Sequence, residues 1–403
     1  ESMLKFNKEI LIPSLSGFQY GYNMSVITGA ILFLVPAFHL NSFQEGLAVA
    51  IHLISTCLAS FSGLLANKIG RKMTLMLGAL CFLFGCYLSS FASTFAYFLT
   101  GRLVTGFGTG IAITVTPLYL LDTSSPENRG RVLNFNQVAM ASGTLIAYLI
   151  SYFLSSTGNW QWMFRLGMIP AAIQLAGLPW IEEKKPAVTP LAPNTIQDPA
   201  LHRILWLAIL LILFQSLSGA ANISTYFPIV LGKAGFTEMR DSLLATAFLG
   251  AVNLLSIFLS FYIVDHFGRR PLLFLSQAGM AISLLTIAFL SHIHFMAMPT
   301  ASLLLIVVYY FSYSLGVGPV PPLIINEITP VNLRGHISTF IGLFGWTMNF
   351  TISLLFPMIL AKLALEGVFI AYGIFCLLGL MILFQKLPET KQKTFKEIES
   401  YFQ

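Results

Sequence analysis

The stretch PLYLLDTSSPENRG (residues 117–130) is written a second time as PLIINEITPVNLRG (322–335). In each copy a Pro is followed by an acid five residues on, Asp122 or Glu327. Seven residues further comes Arg-Gly, Arg129-Gly130 or Arg334-Gly335. Two further phrases repeat in the same order. NKIGRK (67–72) corresponds to DHFGRR (265–270), and LPWIEEKK (178–185) corresponds to LPETKQK (387–393). Spaced matches kept in order over the whole chain mean internal duplication, so the fold is one unit used twice.

Composition says what the unit is made of. The 403 residues are 56% apolar and only 9% charged, whereas a soluble domain carries about 25% charged residues. This is the composition of a membrane protein. The net charge of +6 is no nucleic-acid signal, because the basic residues stand in the gaps between apolar runs. Cys57, Cys81, Cys86 and Cys376 lie inside those runs, the setting of buried thiols and not of a disulfide framework or a metal site. No metal or other cofactor is expected.

A spanning helix needs roughly 20 mostly apolar residues. Runs of that length occur at 9–36, 44–66, 74–93, 95–121, 131–155, 162–181, 203–232, 240–265, 271–291, 300–327, 334–361 and 366–387. The first is too long for the core of a cleaved signal and is read as the first span. The polar stretch IEEKKPAVTPLAPNTIQDPALHR (181–203) is a linker by its Pro content and mixed charge. The chain thus divides into a six-helix unit (1–181), a linker (182–202), a second six-helix unit (203–390) and a tail (391–403). With both termini in the cytoplasm, every Lys and Arg except Arg102, Arg165, Lys233, Arg240 and Lys362 falls on the inner side. That is 17 of 22, a strong positive-inside bias. The expected place is the plasma membrane, or the inner membrane of a bacterium. Parallel six-helix repeats are the plan of the major facilitator superfamily, an all-α fold with its site between the halves.

GRLVTGFGTG (101–110), PLYLLDTSSPENRG, FQSLSGAANISTYF (214–227), DHFGRRPLL (265–273), GVGPVPPLIINEITPVNLRG (316–335) and LPETK (387–391) together resemble the signature blocks of the sugar porter family. The resemblance implies a transporter, not an enzyme, whose substrate is a monosaccharide such as glucose or fructose. It also implies alternating access. The protein is expected to work as a monomer in the lipid bilayer, with no nucleic-acid partner.

The same resemblance implies a site. Gln137, Gln215, Tyr226, Asn253, Trp346 and Asn349 match sugar-contacting positions, and Asn222 stands one residue beyond its expected slot. One residue turns a helical side chain by about 100°, so Asn222 is expected to sit near the edge of the site. Thr225 replaces the first Tyr of the pair that Tyr226 completes, and Ser216, Ala221, Pro322 and Gly345 also depart from the pattern. The last four leave a polyol or pentose carrier open as an alternative. Thr144 and Phe18 are candidate wall residues, and Pro319, Pro321 and Pro322 are read as a hinge. Arg71, Asp122, Arg129, Arg269, Glu327 and Arg334 form charge clusters at the cytoplasmic helix ends, expected to gate by clamping neighbouring helices.

The drive is read at Asn23. Family symporters carry an Asp there, partnered by an Arg that Arg102 matches. An acid in the membrane can carry a proton; an amide cannot. Passive facilitated diffusion is therefore expected. Proton symport is the alternative, with His52 as the titratable candidate in the first half.

Overall fold

The computed structural model describes residues 2–125, 128–183, 199–293, 296–329 and 334–387. Most of the linker and all of the tail read from the sequence lie outside the described residues. The described chain is helical almost throughout. Its helices are α1 (Ser2–Phe38), α2 (Ser42–Ala59), α3 (Ser62–Ile69), α4 (Arg71–Ser90), α5 (Phe95–Thr123), α6 (Arg129–Leu154), α7 (Trp160–Leu166) and α8 (Met168–Gly177). They continue as α9 (Pro199–Leu217), α10 (Ala220–Thr225), α11 (Phe227–Lys233), α12 (Met239–Phe267), α13 (Arg269–His292), α14 (Met298–Leu315), α15 (Val320–Ile328) and α16 (Arg334–Lys386).

Ten segments among the described residues are long and apolar enough to cross a membrane, against twelve runs in the sequence. Two local causes account for the difference. The runs 334–361 and 366–387 share the helix α16, which turns at Ala364 (φ 54°, ψ −177°). The run 162–181 is divided into α7 and α8 at Gly167. Pro170 has no N–H for the carbonyl four residues earlier, that of Leu166, so the ladder is interrupted there.

Other runs are broken in the same physical terms. The run 44–66 ends α2 at Ala59 and restarts as α3. The run 203–232 becomes α9, α10 and α11. Its first break is at Gly219, which has φ +83°, a backbone region that side chains rarely tolerate. The run 300–327 becomes α14 and α15 across Gly316–Pro319.

Helix α1 packs along α6, and α4 along α5. At the α1–α6 crossing the backbones nearly touch. A Cβ on Gly21 would overlap the carbonyl of Met140, and one on Gly143 would overlap the carbonyl of Phe18. Small residues at a crossing let helices approach this closely in a membrane, where packing and not hydrophobicity drives association. Early and late helices meet most extensively where α2 packs on α16 and α6 on α12. One continuous apolar cluster runs from Tyr22 and Phe164 to Phe227 and Phe369.

Candidate functional site

A cavity of about 660 Å³ lies between the early and late helices. That is the size range of small-molecule sites. Exposed Asn326 and Ser338 line it, next in sequence to Glu327 and near the start of α16. The cavity therefore reaches the end of the bundle that carries the charge clusters. At the other end α1 packs on α10 and α11.

Gln137, Gln215, Asn253, Trp346 and Asn349 all line this cavity, as does Thr144. Their hydrogen bonds differ, and the differences set what each can offer. Gln137 on α6 is exposed and makes no hydrogen bond to the described residues, so both ends of its amide are available. Asn253 accepts from Ser314 Oγ at 3.2 Å, which leaves its NH₂ for another partner. Asn349 donates to the carbonyl of Gly345 at 3.0 Å and keeps its carbonyl oxygen.

Gln215 is the most committed. Its Nε2 donates to the carbonyls of Val317 and Gly318, both at 2.9 Å. In an unbroken helix those carbonyls would accept from the N–H groups of residues 321 and 322. Both are Pro and have no N–H. Gln215 thus supplies the donors that Pro321 and Pro322 took away, and shows the cavity only its acceptor oxygen. The hinge read from the three prolines is a break fastened by a side chain of α9.

Asn222 and Tyr226 are placed elsewhere. Asn222, 3% exposed, donates to Tyr372 Oη at 3.1 Å and accepts from Ser353 Oγ at 2.7 Å. Tyr226 is fully buried, donates to the Ser353 carbonyl at 3.3 Å and stacks on Phe356. Asn222 ties α10 to α16, and Tyr226 ties the junction of α10 and α11 to it. The one-residue offset turns Asn222 toward α16, while Ala221, Ser224 and Thr225 face the cavity. Phe18 is not among the lining residues; it stacks on Tyr22. Tyr20, Met24, His52, Tyr310, Tyr313 and Asn326 do line it. Sequence reading passed over them, apart from His52, because a lone Tyr or Met in an apolar run looks like packing.

Asn23 is 1% exposed and Arg102 fully buried, and neither lines the cavity. They are neighbours as expected, through the backbone: Arg102 Nη1 donates to the Asn23 carbonyl at 3.1 Å. The Asn23 amide donates to the Gln19 carbonyl at 3.0 Å and accepts from Cys86 Sγ at 3.2 Å. The second arm of Arg102, Nη2, lies 3.0 Å from His52 Nδ1.

At the charged end, Arg71 pairs with Asp122 at 2.9 Å and Arg269 with Glu327 at 3.1 Å. The repeat therefore pairs each acid with the Arg of the GRK or GRR phrase. Arg129 is exposed and has no ion-pair partner among the described residues. The side chain of Arg334 lies outside the described ones. Each ion pair joins helices of its own repeat, α4 to α5 and α13 to α15, and is formed while the cavity reaches this end.

The family described as "Sugar (and other) transporter" matches residues 10–185 and 193–402. A glucose transporter, GlcP of Staphylococcus epidermidis, is 28% identical over 98% of this chain and 97% of its own length. A crystal structure of a D-xylose-proton symporter superposes with a TM-score of 0.85 at 25% identity, covering 97% of this chain and all of that one. The inward open conformation of the xylose transporter XylE from E. coli gives 0.86 at 24% identity, covering 98% and 99%.

Proposed function

We propose, from the premise that this chain belongs to the sugar transporter family, that it carries a monosaccharide down its gradient by alternating access. The chain is an all-helical, multi-pass membrane protein of the major facilitator fold and a transporter, not an enzyme. The proposal adds cargo and drive. Gln137, Asn253 and Asn349 each present an amide group with unused hydrogen-bonding capacity to one cavity. That is the observation that carries the reading, because a sugar is held by several neutral donors and acceptors at once. No Asp or Glu lines the cavity among the described residues. Arg102 is held by a backbone carbonyl and a His, which supports uniport over symport.

A second reading has its own support. Ser216, Ala221, Pro322 and Gly345, four departures from the hexose pattern, all line the cavity. They remove bulk and hydrogen-bonding groups together, which suits a pentose or polyol. The division into two six-helix units, cytoplasmic termini, a plasma-membrane location and a monomeric transporter complete the proposal.

Uptake into liposomes tests it. Sugar should equilibrate and not accumulate, and an uncoupler should leave the initial rate unchanged. Accumulation driven by an imposed proton gradient would overturn uniport. Gln137→Ala should weaken binding about tenfold, the worth of roughly 1.4 kcal/mol, with thermal stability unchanged because Gln137 makes no hydrogen bond to the described residues. Equal affinity in the variant would remove Gln137 from the site.

The ion pairs are proposed as conformational staples. Arg71 and Asp122 are partly buried, so losing the pair should cost about 1 kcal/mol and shift the balance of states about fivefold. Asp122→Asn is expected to change the transport rate by that factor at constant affinity. The Arg71→Asp, Asp122→Arg exchange should recover it; no recovery would assign Asp122 some other role.

A further inference from the structure

His52 lines the cavity beside Met24 and is held at both ring nitrogens. Nδ1 lies 3.0 Å from Arg102 Nη2 and 2.8 Å from the Val49 carbonyl; Nε2 lies 2.8 Å from Met24 Sδ. A guanidinium only donates. Nδ1 therefore stands between a donor and an acceptor. The Val49 carbonyl also faces the helical N–H of Leu53, whereas Arg102 Nη2 has no other acceptor among the described residues, which favours the tautomer with the lone pair on Nδ1 and the proton on Nε2. The acceptor facing that N–H is a thioether, one of the weakest available.

Arg102 supports the same assignment from the other side. Among the described residues it is the largest fully buried side chain, and its Nε has no hydrogen-bond partner there. A buried cation without a carboxylate is costly. Here its two arms hold the Asn23 carbonyl of α1 and the His52 ring of α2. The arrangement places a buried charge against one imidazole nitrogen and leaves the other facing Met24 Sδ, on a ring that is 3% exposed and borders the cavity.

We propose that His52 is a substrate-binding residue of this cavity, its Nε2–H donating to a sugar hydroxyl in place of Met24 Sδ, with Arg102 as the positioning residue that fixes the tautomer. The assignment rests on the cavity being a sugar site. It gives that site a donor from α2, complementing the acceptor oxygens of Gln215 and Asn349. A hydroxyl oxygen is a better acceptor than a thioether, so the exchange favours the bound sugar.

The test is equilibrium binding of D-glucose, D-xylose and the monodeoxy forms of each to the purified full chain. His52→Phe keeps a ring and removes the donor. It should weaken the better-bound parent sugar about tenfold, and one monodeoxy analogue should bind the variant and the unaltered protein equally. His52→Gln, which returns an N–H at similar reach, should recover most of the loss. Unchanged parent-sugar affinity in His52→Phe overturns the assignment. So does an equal loss for every analogue, which a purely structural role would give. If His52→Phe does not fold, Met24→Leu decides. Removing the resting acceptor should tighten binding about threefold, and an unchanged or weaker affinity overturns the proposal. Binding of neither sugar by the unaltered protein would instead sink the sugar reading of the cavity and this assignment with it.

Discussion

Gln215→Leu is expected to abolish sugar uptake and to lower thermal stability in the same step. The reason lies in the PVPP sequence of residues 319–322. Pro321 and Pro322 leave the carbonyls of Val317 and Gly318 without their helical donors, and Gln215 Nε2 bonds both at 2.9 Å. Leucine in its place leaves both acceptors without that donor. The buried Val317 carbonyl costs about 1–3 kcal/mol when unpaired, while half-buried Gly318 lines the cavity, where water can reach its carbonyl, so the variant should lose about 1–3 kcal/mol. The two roles of Gln215 are separable. Pro322→Ala returns an N–H to the helix opposite the Gly318 carbonyl. Added to Gln215→Leu, it should recover part of the stability and none of the affinity. Thermal unfolding of the detergent-solubilised protein, with and without saturating sugar, reads both. Loss of binding at unchanged Tm would show that the clip to α15 carries no weight. Loss of Tm at unchanged affinity would take Gln215 out of the site.

Prolines and glycines explain what could be read from the sequence and what could not. The duplication, the all-helical membrane class and the family were legible, because they rest on long apolar runs and on phrases repeated at fixed spacing. Most of the cavity was legible too: Gln137, Gln215, Asn253, Trp346 and Asn349 line it. Failures came where one side chain had to be aimed. Asn222 sits one residue off register and is turned onto α16, bonded to Ser353 and Tyr372. Tyr226 kept its register and is nonetheless buried against Phe356. The charge clusters were visible as a set, Arg71, Asp122, Arg129, Arg269, Glu327 and Arg334, but not which charges pair: Asp122 takes Arg71 of α4, and Glu327 takes Arg269 of α13. Helix breaks at Gly219 and Gly167 were hidden inside runs whose hydropathy does not change. Tyr20, Tyr310 and Tyr313 carried no signal beyond being aromatic.

Asn23→Asp is expected to make transport depend on pH where the unaltered protein does not. The amide of Asn23 donates to the Gln19 carbonyl at 3.0 Å, while its oxygen accepts from Cys86 Sγ at 3.2 Å. A carboxylic acid is nearly the same shape. Protonated, it reproduces both bonds, its O–H replacing the amide donor. Ionised, it sets an oxygen against the Gln19 carbonyl, acceptor against acceptor. It then gains by taking the Arg102 guanidinium, which already touches the backbone of the same residue at 3.1 Å. That guanidinium also holds His52. The new carboxylate and the imidazole therefore compete for one cation, and the winner depends on the proton. Acid should give the behaviour of the unaltered protein. Rising pH should draw Arg102 off His52 and disturb the cavity wall. A charge-assisted hydrogen bond contributes about 1.5 kcal/mol or more, so the initial uptake rate should change about tenfold between about pH 5 and pH 8. The added double variant Asn23→Asp, His52→Phe should keep the titration and lose the competitor, moving its midpoint to lower pH because the charged form then takes Arg102 unopposed. A flat profile in Asn23→Asp would mean that Arg102 stays with His52 and the Asn23 carbonyl whatever the charge of the neighbouring side chain. The amide would then be incidental to the drive, and the proposed uniport would lose its support at this position.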